Sequence, residues 1–186
     1  MQIVSTEIPD VKLITAVRHG DARGFFSEIF RADVLTEHGI DARFVQENHS
    51  YSVAKGVLRG LHFQSPPAAQ AKLVRVAAGA ILDVAVDIRA GSPSYGRHVA
   101  VELTAETGNQ LFVPEGFAHG FCTLLPDTHL VYKVNRYYSA EHDRGLAWDD
   151  PALAIDWPVE AEEAVLSDKD RRQPRLTDLA VYFRYS

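Results

Sequence analysis

The sequence has little cysteine, no excess of basic charge and no long apolar run. Its one cysteine, Cys122, cannot form an internal disulfide, and its apolar GFCTLL context favours a small buried side chain over a nucleophile. No apolar run reaches membrane-spanning length, and the N-terminal MQIVSTEIPDVKL lacks the basic and apolar regions of a secretory signal. We therefore expect an unsecreted protein of the reducing cytoplasm.

The net charge and the chain length further limit the kinds of protein that this sequence can encode. A net charge of -6 argues against a general nucleic-acid surface, although local arginines and lysines could still hold a phosphate group. The 186 residues, 46% of them hydrophobic, suffice for one well-buried domain. Because neither a shift in composition nor a low-complexity linker divides the chain, we expect a single domain over residues 1–186. An anionic small molecule stays open as a ligand.

Apolar residues recur with a period of two along the middle of the chain. In AILDVAVDIR, every second residue from Leu82 to Ile88 is apolar and shares one face, whereas Asp83 and Asp87 lie on the other. The segment 99–103 alternates in the same way. Glycine-containing turns separate these runs at the interval typical of short antiparallel strands. The pattern predicts an all-β sandwich or barrel.

Helical patterns are confined to two short segments. One covers Ala32–His38, with Gly39 as its C-cap, and a looser one covers Glu160–Leu166. An antiparallel jelly-roll barrel with a few peripheral helices is the architecture that fits best. The mouth of such a barrel can hold a small ligand among inward-pointing side chains.

Two histidines in this β-rich chain have the spacing of the two cupin motifs. In the first motif Gly56 is followed by five residues and then His62, and the second, GNQLFVPEGFAHGF, contains His119. Gln64 stands where a metal-binding cupin carries another histidine, and Gln70 or its neighbours supply no Glu. We therefore expect no bound metal, and we expect the histidines to do proton chemistry or to bind an anion.

Longer blocks of sequence carry a more specific signal. They are DARGFFSE (21–28), VQENHS, GVLRGLHFQ, KLVRV, FVPEGFAHGF, YKVNRYYS, DRGLAWDDPALAIDWP and LSDKD (166–170). In these blocks the chain resembles the dTDP-4-dehydrorhamnose 3,5-epimerase family, and the resemblance covers nearly the whole chain apart from about the last ten residues. The resemblance implies a cupin-like fold and a substrate that is a 4-keto-6-deoxyhexose joined to a nucleoside diphosphate.

The chemistry of that substrate explains the candidate catalytic residues. A ketone at C4 acidifies the hydrogens on C3 and C5, so an epimerase needs a base, a proton donor and stabilisation of an enolate, and no redox cofactor. A histidine side chain can act as a base near neutral pH, so His62 is the predicted base, and the resemblance implies that Asp170 pairs with it. It also implies Tyr132 as the proton donor and Lys72 as a cation near the C4 oxygen. Without the resemblance, His62 could equally be a buried, hydrogen-bonded histidine, and the other three side chains would be expected to serve packing or a solvated surface.

The resemblance also implies residues that bind the substrate. They are Arg23, Arg59 and His119 for the diphosphate; Glu28, Gln46, Glu47 and Asn48 near the nucleotide; Phe26 and Tyr138 as aromatic surfaces for the base; and Asp143 and Lys169 in further ligand-contact blocks. Glu47 departs from the family, which often has Asp there. The change preserves an acceptor and alters its reach.

The resemblance also implies how the chain assembles, and several alternative functions stay open. The resemblance implies a homodimer with exchanged N-terminal strands, in which Phe26 and Glu28 reach the neighbouring site. Epimerisation at C3 alone or at C5 alone, action on an amino or methyl sugar, and a noncatalytic sugar-binding cupin all stay open. The role of the C-terminal VYFRYS, which is atypical of the family, also stays open.

Overall fold

A computed structural model describes residues 1–185 of the chain. Their strands, in chain order, are β1 (Gln2–Ser5), β2 (Lys12–Thr15), β3 (Arg18–Asp21), β4 (Gly24–Ser27), β5 (Gln46–Ser52), β6 (Leu58–Gln64), β7 (Lys72–Ala78), β8 (Ala80–Asp87), β9 (Arg89–Ala90), β10 (His98–Thr104), β11 (Asn109–Val113), β12 (Phe117–Thr123), β13 (Thr128–Val134), β14 (Asp143–Gly145) and β15 (Phe183–Arg184). The helices are α1 (Ala32–Glu37) and two short 3₁₀ helices, Asp170–Arg172 and Leu176–Asp178.

Two antiparallel sheets face each other and form the body of the fold. The six-stranded sheet has the order β1-β2-β11-β7-β13-β5, and the five-stranded sheet has the order β10-β8-β12-β6-β14. Apolar side chains from both sheets, among them Val74, Ile81, Leu103, Leu111 and Leu130, meet between them and make the central core. The prediction of an all-β, cupin-like antiparallel jelly roll is confirmed.

Strand β8 shows why the sequence alternates as it does. The face that begins with Leu82 packs in an outer apolar cluster with Leu61 and Phe63 of β6. The opposite face, which carries Ile81 and Asp83, points toward the other sheet. Because both faces are covered, the strand is buried along nearly its whole length. The predicted division of this strand into two faces is confirmed.

Strands β6 and β12 approach each other unusually closely at two glycines. A Cβ added to Gly60 would lie 2.6 Å from the Cα of Gly120, and one added to Gly120 would lie 2.8 Å from the carbonyl oxygen of Arg59. The pairing shifts register between His119 and Phe121, as at a β-bulge, and it places His119 directly across from His62. The two motif histidines are therefore cross-strand neighbours.

The first predicted helix is present, one residue shorter at its end, as α1. The second prediction, a helix over Glu160–Leu166, is wrong. The N–H groups of Glu163 and Ala164 both donate to the carbonyl oxygen of Glu160, which makes a single turn. The chain then leaves that turn because Val165 forms a parallel bridge with Val57, and this extended pairing excludes further helix.

Two further expectations concern apolar segments. Cys122 is buried in a small apolar cluster with Leu58 and Trp148, as expected of a structural side chain, and burial raises the pKa of its thiol to about 11. None of the helices within residues 1–185 has the length and apolar character needed to cross a bilayer.

Candidate active site

A cavity of about 460 Å³ opens between the two sheets, and a smaller one of about 190 Å³ adjoins it. The two cavities share three lining side chains, His62, Lys72 and Tyr132. His62 comes from β6 in the five-stranded sheet, whereas Lys72 and Tyr132 come from β7 and β13 in the six-stranded sheet. Three predicted catalytic residues thus meet where the cavities join, from opposite walls.

The fourth predicted catalytic residue, Asp170, is paired with His62. Nε2 of His62 lies 2.5 Å from Oδ1 of Asp170, and the Ser167 hydroxyl donates to Oδ2 of the same carboxylate at 2.8 Å. Burial of Asp170 would raise its pKa, but the hydrogen bonds from His62 and Ser167, together with neighbouring positive charge, outweigh burial and the pKa falls below its ordinary value. A charged carboxylate therefore orients an imidazole whose other edge is free to work in the cavity.

Lys72 lies beneath this pair, almost fully buried. Its ammonium donates to the carbonyl oxygen of His62 at 3.3 Å and lies 3.4 Å from Nδ1 of His119. Burial disfavours the charged form and lowers the pKa of Lys72 to about 8, although the negative charges of Asp83 and Asp143 oppose the fall. A cation placed here can stabilise negative charge that develops on a ligand oxygen.

His119 is held between Lys72 and a buried carboxylate. Nε2 of His119 lies 2.7 Å from Oδ1 of Asp83, whose other oxygen has no hydrogen-bond partner among the described residues. Burial lowers the pKa of His119, and Asp83 opposes that fall. A neutral His119 that donates from Nε2 to Asp83 can accept from Lys72 at Nδ1. In this arrangement both ring nitrogens face protein groups, and the diphosphate role of His119 stays a prediction.

Tyr132 faces the cavities from the six-stranded sheet. Burial raises the pKa of its phenol, with the charge of Arg59 opposing, so the hydroxyl keeps its proton at neutral pH. Its partner across the strand pair is Asn48, and both Asn48 and Gln46 line the smaller cavity. A protonated phenol on the wall opposite His62 is suited to donate a proton.

The far end of the smaller cavity is polar. Nζ of Lys169 lies 2.5 Å from Oδ2 of Asp143, and the Tyr138 hydroxyl donates to the same oxygen at 3.1 Å. The backbone N–H of Tyr138 donates to Oε1 of Gln46 at 3.0 Å, which joins this group to β5. Five of the predicted binding residues thus line one cavity: Gln46, Asn48, Tyr138, Asp143 and Lys169.

Other predicted binding residues lie elsewhere in the single chain. Arg59 lines the larger cavity and donates to the carbonyl oxygen of Tyr51 at 3.0 Å. Arg23, in the turn between β3 and β4, pairs with Asp21 at 2.5 Å and has a side chain that is 90% exposed. Phe26 and Glu28 are also exposed, outside both cavities. Glu47 points to the outer face of β5, where its carboxylate pairs with Lys133.

Several residues around the cavities were not predicted from the sequence. Ser167 positions Asp170, and its place three residues before that carboxylate is the spacing of a local side-chain turn. Ser50 follows Gln46 and Asn48 at the alternating spacing of a strand, which could have identified it. Asp83 is paired with a residue 36 positions away, and no local signal predicts that contact.

The donor set argues for acid–base chemistry. Across the described part of the chain, no group of three or more His, Cys, Asp or Glu side chains is arranged to hold a metal ion. What the cavity presents is an oriented imidazole, a buried ammonium and a protonated phenol. This fold and this site define a cupin-like acid–base enzyme.

Comparison with known proteins places that class in one family. The family model for dTDP-4-dehydrorhamnose 3,5-epimerase matches residues 5–178. A Sinorhizobium fredii protein of that name is 54% identical over 185 residues, which is 100% of this chain and 94% of the relative. A second, from Shigella flexneri, is 50% identical over 98% of this chain and 99% of its own length.

A solved structure gives the same result. The Legionella pneumophila dTDP-6-deoxy-D-glucose-3,5-epimerase in complex with dTDP-4-keto-L-rhamnose superposes with a TM-score of 0.94 at 46% identity, covering 100% of this chain and 98% of the other. The chain belongs to the dTDP-4-dehydrorhamnose 3,5-epimerase family. It is therefore an epimerase of the isomerase class.

Proposed function

We propose that this chain inverts C3 and C5 of dTDP-4-keto-6-deoxy-D-glucose and forms dTDP-4-keto-L-rhamnose through enolate intermediates. The observation that carries the proposal is the convergence of the His62–Asp170 pair, Lys72 and Tyr132 on one cavity from opposite walls. Noncatalytic sugar binding does not require a base, a buried cation and a proton donor together. The Legionella relative, named as a 3,5-epimerase, is in complex with the doubly inverted sugar nucleotide.

Each residue has a distinct step. His62 takes the proton from the carbon next to the ketone, and the electron pair of that C–H bond becomes the enolate, whose charge lies mainly on the C4 oxygen. Asp170 stabilises the imidazolium, and the Lys72 ammonium stabilises the enolate oxygen. Tyr132 then gives its proton to the opposite face of the same carbon. Neither step calls for a redox cofactor or a metal.

Binding of the nucleotide is the second part of the proposal. The smaller cavity holds part of the nucleotide, with the ring of Tyr138 as an aromatic surface and Gln46, Asn48, Asp143 and Lys169 as polar contacts. Arg59 and His119 serve the diphosphate. In support, Arg59 lines the larger cavity beside the catalytic groups.

Two of the remaining predicted contacts, Phe26 and Glu28, are assigned to a second copy of the chain. Arg23, Phe26, Glu28 and Glu47 lie outside both cavities of one copy, and Phe26 exposes 71% of its surface, which is unusual for a phenylalanine. A homodimer with exchanged N-terminal strands would cover the exposed β3–β4 hairpin and bring Phe26 and Glu28 to the neighbouring site. The single domain and the cytoplasmic location predicted from the sequence belong to the same proposal.

The test is to incubate the protein with dTDP-4-keto-6-deoxy-D-glucose in deuterated water and to locate the label by NMR. Label at C3 and C5 with inverted configuration is the expected result. Label at one position only would assign a C3-only or C5-only epimerase, and nucleotide binding without any label would assign a noncatalytic protein.

Two variants then test the assigned roles. His62→Ala should abolish label at both positions, because abstraction precedes either enolate, and His49→Ala on the outer face of β5 is the matched control. Tyr132→Phe should permit label without inversion, at least at C5, and Tyr137→Phe at an exposed ring is its control. If folded His62→Ala exchanges both positions at nearly the wild-type rate, another group is the base.

A further inference from the structure

The last part of the chain has no role in the chemistry or binding proposed above. The family model ends its match at residue 178, before the VYFRYS segment. Residues 173–185, which we call the C-terminal strap, cover the outer face of the five-stranded sheet, the face opposite the cavities. Four strap residues, Leu176, Leu179, Tyr182 and Phe183, pack against the outer apolar cluster of that sheet.

The strap is fixed to the sheet at defined points. The carbonyl oxygen of Pro174 accepts from the N–H of Ala147 at 2.8 Å. The N–H of Leu176 donates to Oδ2 of the buried Asp150 at 2.7 Å. Strand β15, near the end of the strap, pairs in parallel with β9. These bonds hold the strap in one path along the sheet.

Two strap rings contact the strand that carries the base. Phe63 follows His62 on β6, and because side chains alternate along a strand its ring points to the outer face. Its centroid lies 5.5 Å from that of Tyr182 and 6.0 Å from that of Phe183, at interplanar angles of 61° and 63°. Both are edge-to-face contacts, which have a preferred geometry. The Tyr182 hydroxyl also accepts from Nε of Arg144, the partner of Phe63 on β14.

The beginning of the strap follows Asp170 closely in the chain. Gln173 comes three residues after Asp170, and its side chain covers Gly145, whose pairing partner on β6 is His62. A Cβ at Gly145 would lie 2.3 Å from Cδ of Gln173, so the two segments are in close contact. The strap therefore contacts β6 through Phe63, and through Gln173 it contacts Gly145, the cross-strand partner of His62.

We propose that the C-terminal strap is a positioning element for the His62–Asp170 pair, with Tyr182 and Phe183 as its positioning residues. The inference rests on the proposed function, since it assigns the strap to the base of that reaction. Proton abstraction depends on placement of the base to within about 1 Å. Nucleotide contacts come from Arg59 and the smaller cavity, and the two strap rings line neither cavity. Loosening the strap should thus slow the chemistry and spare nucleotide binding.

The experiment compares Phe183→Ala and Tyr182→Ala with wild type. We expect kcat to fall by roughly tenfold to 100-fold, with KM and the calorimetric affinity for thymidine diphosphate changed by no more than about twofold. Val181→Ala, at an exposed strap residue that does not touch Phe63, is the control and should behave as wild type. Tyr182→Phe keeps the ring and should keep most of the activity.

A double-variant cycle identifies the route of the effect. If Phe183 acts through Phe63, the losses in kcat for Phe63→Leu and Phe183→Ala should not be additive in the combined variant. Unchanged kcat in Phe183→Ala would overturn the inference, as would a loss that only follows the loss of folded, nucleotide-binding protein. If wild type itself incorporates no label from deuterated water, the proposed function fails instead, so the two failures are distinguishable.

Discussion

Replacing Lys72 with methionine should abolish catalysis and stabilise the fold. Burial lowers the pKa of Lys72 from 10.5 to about 8. Keeping the ammonium charged in the interior therefore destabilises the folded chain by ~3 kcal/mol. Methionine has a similar stem and no charge. Loss of the hydrogen bond to the carbonyl oxygen of His62 destabilises the variant by ~1 kcal/mol. We therefore expect the free energy of unfolding of Lys72→Met to exceed that of wild type by about 2 kcal/mol at pH 7.

The stability difference between Lys72→Met and wild type should depend on pH. Below pH about 8, Lys72 is protonated in both the folded and the unfolded chain, and the full cost of burying the charge is present. Between about 8 and 10.5 the unfolded chain binds a proton that the folded chain does not, so the stability of wild type rises with pH. The advantage of Lys72→Met should therefore be largest near pH 7 and small above pH about 10.5.

Urea unfolding, followed by the fluorescence of Trp148 and Trp157, measures the effect at pH 7 and pH 10. Lys55→Met, at an exposed lysine, removes the same charge without a burial cost and should change stability little at either pH. The reasoning would be refuted if Lys72→Met were less stable than wild type at pH 7. A difference from wild type that stayed constant between the two pH values would refute it as well.

Further outcomes follow from the same site. In wild type, kcat should decline as pH rises through about 8, because Lys72 loses the charge that stabilises the enolate; a pH–rate profile checks this. Asp170→Asn should lower kcat by roughly 10²- to 10⁴-fold while thymidine diphosphate still binds, which calorimetry measures. Activity should survive exhaustive EDTA, and loss that zinc, iron or manganese restores would contradict the metal-free site. Light scattering should find a dimer at assay concentration, and a fully active monomer would count against strand exchange.

The fold could be predicted from the sequence where the pattern of apolar residues lies within a single strand. The alternation in β8 identified both of its faces, but it did not show that the face with Asp83 is the one that points toward the other sheet. The helix predicted over residues 160–166 is wrong because the composition of the segment allows a helix, whereas the bridge between Val165 and Val57 makes the backbone extended there. That bridge joins residues more than a hundred positions apart, and tertiary pairing of this kind overrides local propensity.

The site was predictable as a set of residues and less so as a geometry. Matching motifs identified His62, Lys72, Tyr132 and Asp170, which the fold brings to one cavity. A matching motif assigns neighbouring residues to the same site, yet strand alternation turns Glu47 away from the cavity that Gln46 and Asn48 line. The contact of His119 with Asp83 depends on the register between β12 and β8, and no motif contains that information.

The buried thiol of Cys122 makes the protein convenient for site-specific labelling. With a side chain enclosed by Leu58 and Trp148 and a pKa raised to about 11, the only cysteine of the sequence stays protonated and shielded at neutral pH. Maleimide reagents should therefore not react with this thiol in the folded protein. A cysteine introduced at an exposed position would carry a fluorophore or spin label alone, with no need for a cysteine-free background.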